Sequence, residues 1–553
     1  MDRASVFPPR RLQQDRYSRS APAANEQGGG SNGMSKNSNG KTTSRTTRRG
    51  DARVERRFTF SRRASGVLMH LTSLPGPHGS GDLGSGAYAF ANFLHDAGQR
   101  WWQMLPVSPP SAPGYSPYSS YSAFAGSPWF VSLELLAKDL LLDRADLRAP
   151  AGFRADSVLY PEVNAFRDAK LRKAFARFRS QPQRWGEELA GFREKSGAWL
   201  DDFVLFSALK KHFDNKPWIE WPKDVRFREE KAIARVRQEL AEEIAFHEFV
   251  QFQFDRQWMA LKKYCNDRDI GLIGDIPIFV DHDSCDVWAH PELFELEKSG
   301  KASAVTGCPP DAFNADGQFW RHPHYDWAYH RKTGFAWWIA RFALTMRMFD
   351  AVRIDHFLGM HRLWSIPPQH KTARNGKWIS GPGAPLFEAL KRELGDLPII
   401  AEDLGAVTKE ALDLRDQFKF PGMHVLQFGF GGDNSHLPHT YERRRAVYTG
   451  THDNHTAVGW FKNAPPHERK NCLDYIDGTP SNIAWQMIRA LETSVADTVI
   501  IQTQDLIGAG ESARMNSPGT TENNWRWRLK PGALTRDLAK RLRRLAELTG
   551  RLS

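Results

Sequence analysis

The chain has 553 residues, 41% of them hydrophobic, which is more than one ordinary domain needs and enough for a large core. The formal net charge of +12 would suit a nucleic-acid partner, but residues 1–63 alone hold 15 Lys and Arg against 5 Asp and Glu. The rest of the chain is therefore nearly neutral, and we expect no nucleic acid among its partners. The sequence has no run of 18 apolar residues, so we also expect no membrane-spanning helix and no membrane partner.

Residues 1–63 are rich in Ser, Gly, Asn and Arg and poor in large apolar residues. Such a composition cannot bury enough apolar surface to fold, so it predicts a disordered basic extension. An Arg- and Ser-rich start without an apolar signal-peptide core is also typical of an organelle transit peptide. The four cysteines are scattered, without CxxC spacing, and fit a reducing compartment. We therefore predict a cytoplasmic protein, with a plastid location as the alternative if the extension is a transit peptide.

Residues 64–553 contain eight short apolar runs with the length and β-branched content of buried strands. These runs span residues 66–74, 100–107, 271–280, 349–357, 397–405, 422–430, 446–453 and 497–505. Helical or irregular sequence separates them. The pattern predicts an α/β fold, a (β/α)8 TIM barrel that serves as the catalytic domain.

The second and third predicted strands are separated by a long segment, residues 108–265. It begins with a loop rich in Ser, Pro and Tyr, and loops this long inside a compact protein are usually functional. Mostly helical sequence follows, with one amphipathic pattern over residues 227–264 that has neither Pro nor Gly. We predict that residues 108–265 form a loop and a helical insertion subdomain on the rim of the barrel.

Acidic residues stand at the ends of several predicted strands, among them Asp505, and three of these acids dominate: Asp355, Glu402 and Asp453. The carboxyl ends of the strands form the active-site face of a TIM barrel, so we expect these three side chains to converge. Arg353 lies two residues before Asp355, a spacing that puts both side chains on one face of a strand. Because an unpaired charge in a buried strand is costly, Arg353 and Asp355 either pair to stabilise the core or take part in chemistry.

Glycoside chemistry needs two carboxyl groups that flank the scissile bond. Arg353 would keep Asp355 ionised, as a nucleophile must be. Glu402 follows an apolar run, a setting that would raise its pKa toward that of a general acid. Asp453 would then bind substrate hydroxyls or stabilise positive charge on the sugar ring.

Two other functions fit parts of this pattern. Metal-assisted hydrolysis would use His452 and Asp453, or His282 and Asp283, as ligands, but the sequence lacks a His-x-x-x-His motif or a tight cluster of ligand residues. A barrel that binds sugar without reacting would not need an acid, a base and an Arg together.

The motifs that carry these residues resemble those of the 4-α-glucanotransferases, the amylomaltases or disproportionating enzymes of glycoside hydrolase family 77. The motifs that contain the three acids are residues 353–357 (RIDHF), 400–404 (IAEDL) and 450–454 (GTHDN). Further matches are residues 114–128 (GYSPYSSYSAFAGSP), 274–280 (GDIPIFV), 309–311 (PPD), 317–318 (GQ), Trp320, 436–439 (HLPH) and 524–528 (NWRWR). Each motif alone is weak, but their number and order extend the resemblance over residues 66–530.

The resemblance implies retaining transfer of an α-1,4-glucan segment to the 4-OH of another glucan or of glucose, through a covalent glycosyl-enzyme intermediate. It implies Asp355 as the nucleophile, Glu402 as the acid/base and Asp453 as the transition-state stabiliser. The substrate contacts that it implies are Tyr118, Ser116, Asp275, Arg353, His452, Trp320 and Phe313, with a lid-like loop over residues 309–320. The implied partners are α-1,4-glucans, maltooligosaccharides and, as acceptor, glucose. No metal and no organic cofactor is implied.

The sequence departs from the family pattern at three positions. Leu358 stands where the family often has Arg, His455 where it usually has Asp, and Ala312 where the lid often has an aromatic residue. None of the three is an acid of the predicted site, but Ala312 leaves open how tightly the lid clamps the acceptor groove. An α-glucan hydrolase of the α-amylase type is the alternative, because it shares the intermediate and differs only in whether water intercepts it.

Overall fold

The computed structural model describes residues 56–111, 114–310 and 315–552. Most of the predicted extension, residues 1–63, lies outside this part of the chain. Its last residues are described, and among them Phe58 and Phe60 are buried against Trp101, with ring centroids 5.8 and 5.1 Å away.

The described residues form twelve β-strands and seventeen α-helices. The strands are β1 (Ala64–Leu68), β2 (Trp101–Gln103), β3 (Gly271–Ile276), β4 (Val305–Cys308), β5 (Gln318–Pro323), β6 (Ala351–Ile354), β7 (Arg362–Ile366), β8 (Lys377–Ser380), β9 (Ile399–Ala401), β10 (Gly422–Val425), β11 (Arg445–Tyr448) and β12 (Thr498–Gln502). The helices are α1 (Ser85–Asp96), α2 (Leu133–Lys138), α3 (Tyr160–Arg179), α4 (Pro182–His212), α5 (Lys223–Arg226), α6 (Glu230–Glu239), α7 (Ala241–Asn266), α8 (Cys285–Ala289), α9 (Trp327–Lys332), α10 (Ala336–Met348), α11 (Ala384–Leu394), α12 (Lys409–Gln417), α13 (Ala457–Asn463), α14 (Pro466–Ile476), α15 (Ile483–Thr493), α16 (Thr503–Leu506) and α17 (Arg536–Leu548).

Eight of the strands form the predicted parallel barrel. Their order is β10-β11-β12-β1-β2-β3-β6-β9, and each neighbouring pair is parallel. A hydrogen bond of 2.9 Å from the amide of Ala401 to the carbonyl of Pro421 links β9 to the start of β10 and closes the ring. The fold prediction is thus confirmed, and all eight predicted strands are present, although each is shorter than its apolar run.

The barrel strands are almost wholly buried, as parallel strands covered by helices must be. Small residues let bulky neighbours approach the strands closely. At Gly274 in β3, a Cβ atom would lie 2.5 Å from the ring of Phe349, so any larger residue would push this strand away from β6. The glycine therefore keeps Asp275, the next residue, in register with Arg353 across the β3–β6 pair.

The helical insertion between β2 and β3 is also confirmed, with α3 to α7 as its main helices. The amphipathic pattern over residues 227–264 is divided between two helices, because the chain bends at Leu240 (φ −104°, ψ 18°) between α6 and α7. Neither Pro nor Gly marks this bend, so the sequence pattern did not show it. Within the described part of the chain, no helix is both long and apolar enough to cross a membrane.

A second, antiparallel sheet has the strand order β5-β4-β7-β8 and was not predicted. Its strands β4 and β5 flank the predicted lid over residues 309–320, of which residues 311–314 lie outside the described residues. Strand β7 begins seven positions after Asp355, so this sheet stands beside the carboxyl end of the barrel strand β6.

Candidate active site

A cleft of about 1780 Å³ lies at the carboxyl ends of the barrel strands. Its lining includes Arg353 and Asp355 after β6, Glu402 after β9 and Asp453 after β11. Pockets for small ligands usually measure about 300–1,000 Å³. The cleft is therefore large enough for several sugar units of a chain.

The turn after β6 brings Asp355 beside the end of β9. The amide of Asp355 donates to the carbonyl of Ile276 at 3.0 Å, which continues the strand pairing to this residue. The next residue, His356, has a left-handed backbone (φ 51°, ψ 51°) that non-glycine residues rarely adopt. Its amide donates to Oε2 of Glu402 at 2.7 Å. The strained turn thus ties Asp355 to Glu402 through the main chain.

Arg353 connects the carboxylates of the site. Its Nη1 lies 2.9 and 2.8 Å from the two oxygens of Asp275, and its Nη2 lies 2.8 Å from Oδ1 of Asp355. The same Nη2 lies 3.9 Å from Oε2 of Glu402. Burial alone would lower the pKa of Arg353, but Asp275 and Asp355 raise it well above its ordinary value. The guanidinium is thus charged at every pH at which the protein is folded.

The shared Nη2 atom limits the separation of Asp355 and Glu402. Nη2 lies 2.8 Å from Oδ1 of Asp355 and 3.9 Å from Oε2 of Glu402. The distance between these two oxygens therefore cannot exceed the sum of those two distances. This limit admits the separation of about 5–5.5 Å found in retaining glycosidases and only the lowest part of the about 6.5–9.5 Å range of inverting ones. The pair therefore fits a nucleophile and an acid that act on the same sugar.

The two carboxyl groups differ in their surroundings. The side chain of Asp355 is 28% exposed, whereas that of Glu402 is 12% exposed. Burial and, to a lesser extent, the negative charge of Asp355 raise the pKa of Glu402 to about 7, against the opposing charge of Arg353. Near neutral pH, a good part of Glu402 therefore carries a proton while Asp355 faces a permanent cation.

Asp275, Tyr118 and His452 form one side of the site. The hydroxyl of Tyr118 donates to Oδ2 of Asp275 at 2.6 Å, and Asp275 is fully buried. The rings of Tyr118 and His452 are stacked, with centroids 5.0 Å apart and planes inclined by 19°. The stack presents polar edges and a flat apolar surface beside Arg353, a combination that suits the faces and hydroxyls of a sugar.

Asp453 is the most exposed of the three acids, with 43% of its side chain accessible. Nδ2 of Asn516 donates to its Oδ1 at 2.6 Å, and Nε2 of His452 lies 3.3 Å from the same oxygen. Nη2 of Arg514 donates to its carbonyl oxygen at 2.8 Å. The loop after β12 therefore fixes the position of an acid that belongs to the loop after β11.

The remaining predicted contacts are placed as follows. Trp320, in β5, lines the cleft and meets the ring of His356 edge to face at 4.9 Å. Ser116 also lines the cleft, and its hydroxyl accepts a hydrogen bond from the amide of Tyr118 at 3.2 Å. Phe313 and Ala312 lie outside the described residues. Among the described residues, every predicted site residue lines this cleft except Asp275, which is buried behind it and contacts Arg353 and Tyr118.

The sequence analysis missed three side chains that contribute to this site: His356, Asn516 and Arg514. His356 could have been noticed, because it lies inside the RIDHF motif; burial lowers its pKa to about 4, so it is neutral next to Asp355. Asn516 and Arg514 stand in a segment without a recognisable pattern. Of the two described departures from the family pattern, Leu358 is buried, and Nδ1 of His455 lies 2.7 Å from Glu511.

The alternative metal ligands have other partners. Nδ1 of His452 lies 3.4 Å from the hydroxyl of Tyr118. Asp283 is paired with Lys210 at 2.7 Å, and Nε2 of His282 lies 2.9 Å from the carbonyl of Gly300. Within the described ranges, no group of three or more His, Cys, Asp or Glu side chains is arranged to hold a metal ion. The geometry therefore favours carboxylate chemistry.

Comparisons with known proteins point to the same chemistry. The sequence profile of glycoside hydrolase family 77, described as 4-alpha-glucanotransferase, matches residues 69–535. The chain is 45% identical over 500 residues to the 4-alpha-glucanotransferase of Synechocystis, which covers 89% of this chain and 99% of that protein. It is 43% identical over 489 residues to the 4-alpha-glucanotransferase of Clostridium butyricum, with 87% and 100% covered. Among solved structures, it is similar to the amylomaltase from Streptococcus agalactiae in complex with acarbose, with a TM-score of 0.86, 40% identity, and 89% of this chain and 100% of that chain covered.

Proposed function

The chain belongs to the 4-alpha-glucanotransferase family, glycoside hydrolase family 77, and is an enzyme of that class, and from this we propose a two-step mechanism carried by Asp355 and Glu402. The observation that supports it most directly is the shared guanidinium of Arg353, within 2.8 Å of one carboxyl group and 3.9 Å of the other. One group is poised as an anion and the other as an acid. That difference is what retaining glycosyl transfer requires.

In the first step, an oxygen of Asp355 attacks the anomeric carbon of a glucose unit within an α-1,4-glucan. Glu402 gives its proton to the glycosidic oxygen as the bond from that oxygen to the anomeric carbon breaks. The reducing-end fragment leaves with the proton, and the other fragment is joined to Asp355 as an ester. Arg353 offsets the charge of Asp355 and leaves a free lone pair for the attack.

In the second step, the ionised Glu402 takes the proton from the 4-OH of an acceptor glucan or of glucose. The acceptor oxygen attacks the anomeric carbon from the face that the first fragment left, and the ester bond to Asp355 breaks. Two inversions give retention of the α configuration. Glu402 ends the cycle protonated, and Asp355 ends it ionised.

Asp453, Tyr118 and His452 serve the sugar that reacts. Its ring carries positive charge in the transition state, and Asp453 supplies a negative charge that Asn516 fixes in place. His452 and Tyr118 present hydrogen-bonding edges to the sugar hydroxyls, and Asp275 orients Tyr118. Trp320 and Ser116 line the cleft beside them and complete the substrate contacts.

The substrates are α-1,4-glucans and maltooligosaccharides, with glucose as an acceptor. The acarbose complex of the similar Streptococcus agalactiae amylomaltase supports carbohydrate binding by this chain. Transfer rather than hydrolysis requires that an acceptor reach the ester before water does. Maltotriose as sole substrate should therefore give a ladder of longer maltooligosaccharides together with glucose, whereas a hydrolase would release reducing ends without longer products.

The covalent intermediate is tested with α-maltotriosyl fluoride and the Glu402→Gln variant. Fluoride leaves without a proton, so the first step proceeds, but the second step lacks its base. The ester should accumulate, and mass spectrometry of a peptide digest should find a maltotriosyl group on the peptide that contains Asp355. The Asp355→Asn variant is the matched control: it should stay unmodified and inactive, with an unchanged circular dichroism spectrum. A modified peptide elsewhere, or turnover by Asp355→Asn, would reject the assignment.

A further inference from the structure

Trp378 is an exposed aromatic side chain in an unusually rigid setting. It lies in β8, the outer strand of the antiparallel sheet, and 38% of its surface is accessible. The β7–β8 register places it directly opposite Trp364, and the two rings meet at 66° with centroids 5.1 Å apart. The guanidinium of Arg362 lies over the Trp378 ring at 4.0 Å. Trp364 and Arg362 thus hold the ring in place, while more than a third of its surface stays open in the wall of the cleft.

The support behind Trp378 is itself anchored. Nε1 of Trp364 donates to the carbonyl of Ala373 at 2.8 Å, and its ring packs against the buried cluster of Ala302, Val305 and Ile366. These contacts fix the orientation of Trp364 and, through it, that of Trp378. The exposed ring is therefore preorganised, so a ligand that stacks on it loses little free energy in ordering the side chain.

Trp378 belongs to the same cleft as the reacting carboxyl groups. Nη2 of Arg362 lies 3.5 Å from the carbonyl of Ala406, in the loop that follows Glu402. That loop, from Leu404 to Val407, also lines the cleft. The ring is thus connected to Glu402 through Arg362 and this loop. Trp378 therefore lies on the wall of the cleft that extends from the proposed acid/base.

We propose that Trp378 is the stacking platform of an outer acceptor subsite, which takes a glucose unit of the acceptor chain beyond the one that reacts. This inference rests on the proposed function. A glucose ring has an apolar face of C–H groups, which fits a Trp ring, and hydroxyls at its edge, which fit the donors of Arg362. The acid/base serves the leaving group and then the acceptor, so a wall that continues from Glu402 lies along the acceptor chain. The subsite selects acceptors of several glucose units over free glucose.

The experiment separates the acceptor from the donor. The donor is α-maltotriosyl fluoride with its terminal 4-OH blocked, which cannot itself accept, and the rate is that of forming the product that carries the blocked maltotriosyl group, because maltotetraose can also serve as a donor. Either glucose or maltotetraose is the acceptor. For Trp378→Ala we expect the KM for maltotetraose to rise about tenfold, the loss of roughly one stacked apolar face, with kcat nearly unchanged. Rates with glucose should equal those of the wild type, and Trp378→Phe should recover most of the lost affinity.

Phe227→Ala is the matched control. Phe227 is equally exposed, at 39%, and also has a guanidinium over its ring, that of Arg226 at 4.7 Å, but it lies in the helical insertion. Its removal should change neither acceptor's KM. Wild-type behaviour of Trp378→Ala with maltotetraose, or an equal loss with both acceptors, would overturn the subsite while leaving the transfer reaction intact. If the wild type transferred to neither acceptor, the proposed function itself would be wrong.

Discussion

Asp275 orients Arg353 through a two-pronged contact: Nη1 of Arg353 lies 2.9 and 2.8 Å from the two carboxylate oxygens. The contact joins neighbouring barrel strands, since Asp275 and Arg353 are paired in the β3–β6 register. With Nη1 occupied in this way, Nη2 is directed at Asp355 and Glu402. The geometry of the catalytic pair is therefore set by a side chain that touches neither carboxyl group.

The Arg353→Lys variant tests whether catalysis needs the branched guanidinium group of Arg353 or only its positive charge. A Lys ammonium is a single point and cannot meet Asp275 and Asp355 with fixed geometry at once. We expect kcat/KM for maltotriose to fall about 10²–10³-fold, as for the loss of one preorganised donor. The melting temperature should change little, because Asp275 still has a cation beside it.

Two further variants complete this test. Arg353→Met leaves Asp275 buried without its cation, a change that typically costs about 3–5 kcal/mol, so the variant should unfold at lower denaturant concentration. Arg374→Lys alters an exposed pair, Arg374 with Asp316 at 2.7 Å, and should change neither activity nor stability. Near wild-type kcat/KM in Arg353→Lys would show that charge alone suffices.

The raised pKa of Glu402, about 7, predicts an alkaline limb in the pH profile. The first step needs the protonated acid, and this form disappears as the pH rises through the pKa. We therefore expect kcat/KM for maltotriose to be flat only about one pH unit or more below this pKa, to bend near it, and to fall about tenfold per unit well above it. The parameter kcat/KM is the one to measure, because it reports the free enzyme.

A fluoride donor provides the control for this pH dependence. Fluoride departs without a proton, so the rate of ester formation from α-maltotriosyl fluoride should not show the limb. Its absence with fluoride and presence with maltotriose would assign the limb to Glu402. If the rates with both donors fell at the same pH, a group other than Glu402 would be responsible for the limb.

Much of the barrel could be predicted because the local sequence of each of its strands is enough to indicate a buried strand. The run AVRI in β6 and the run TVIIQ in β12 consist mostly of β-branched and apolar residues, and both are buried over their full length, as strands of a parallel barrel must be. In the runs that carry the site, β6 and β9 end one residue before Asp355 and Glu402, so both acids stand at the start of the loops where the proposed chemistry takes place.

The antiparallel sheet and the Asn516 contact could not be predicted, for a different reason. The strands β7 and β8 are RLWSI and KWIS, too short and too mixed in polarity to have a period, and each is stable only through its partner. Asn516 meets Asp453 across 63 residues of chain, in a loop whose path depends on the whole barrel. The fold of neighbouring elements, not the local sequence, decides such contacts.

Asn516 is expected to be a positioning residue for Asp453. In Asn516→Asp, a carboxylate would face Asp453 where Nδ2 now donates at 2.6 Å. Two adjacent carboxylates share a proton, so the pKa of one of them rises. We expect kcat to fall about 10–100-fold and the acidic limb of the kcat profile to move to higher pH, with KM changed by less than about threefold.

The Asn516→Ala variant separates position from charge. It removes the donor without adding a charge, so kcat should fall while the acidic limb stays where it is in the wild type. A shifted limb in the Asp variant only would assign the effect to Asp453. Equal pH profiles of kcat in both variants would mean that Asn516 acts on the loop and not on Asp453. It would do so through the hydrogen bond of 3.0 Å that its main-chain amide donates to the carbonyl of His452.

At the other end of the barrel, Arg551 ties the last residues of the chain to the amino ends of β1 and β12. It is fully buried, as is Glu492, which lies 3.2 Å from its Nε. Its guanidinium also donates to main-chain carbonyls, among them those of Ser494 at 3.1 Å and Ala496 at 2.8 Å. We expect Arg551→Met to lower the free energy of unfolding by about 3–5 kcal/mol, because Glu492, whose pKa burial raises to about 7, would lose its cation and the last residues would lose the hydrogen bonds of the guanidinium.

The double variant Arg551→Met with Glu492→Met decides whether that unpaired charge is the cause. Removing both charges leaves an apolar pair of similar volume, so part of the lost stability should return in urea unfolding. Arg544→Met, which alters an Arg that is 69% exposed, should change the free energy of unfolding by less than about 0.5 kcal/mol. All three should retain wild-type kcat/KM at 25 °C, because the carboxyl ends of the strands are untouched. A double variant no more stable than Arg551→Met would mean that the carbonyl contacts of the guanidinium, and not its charge, join the chain's end to the barrel.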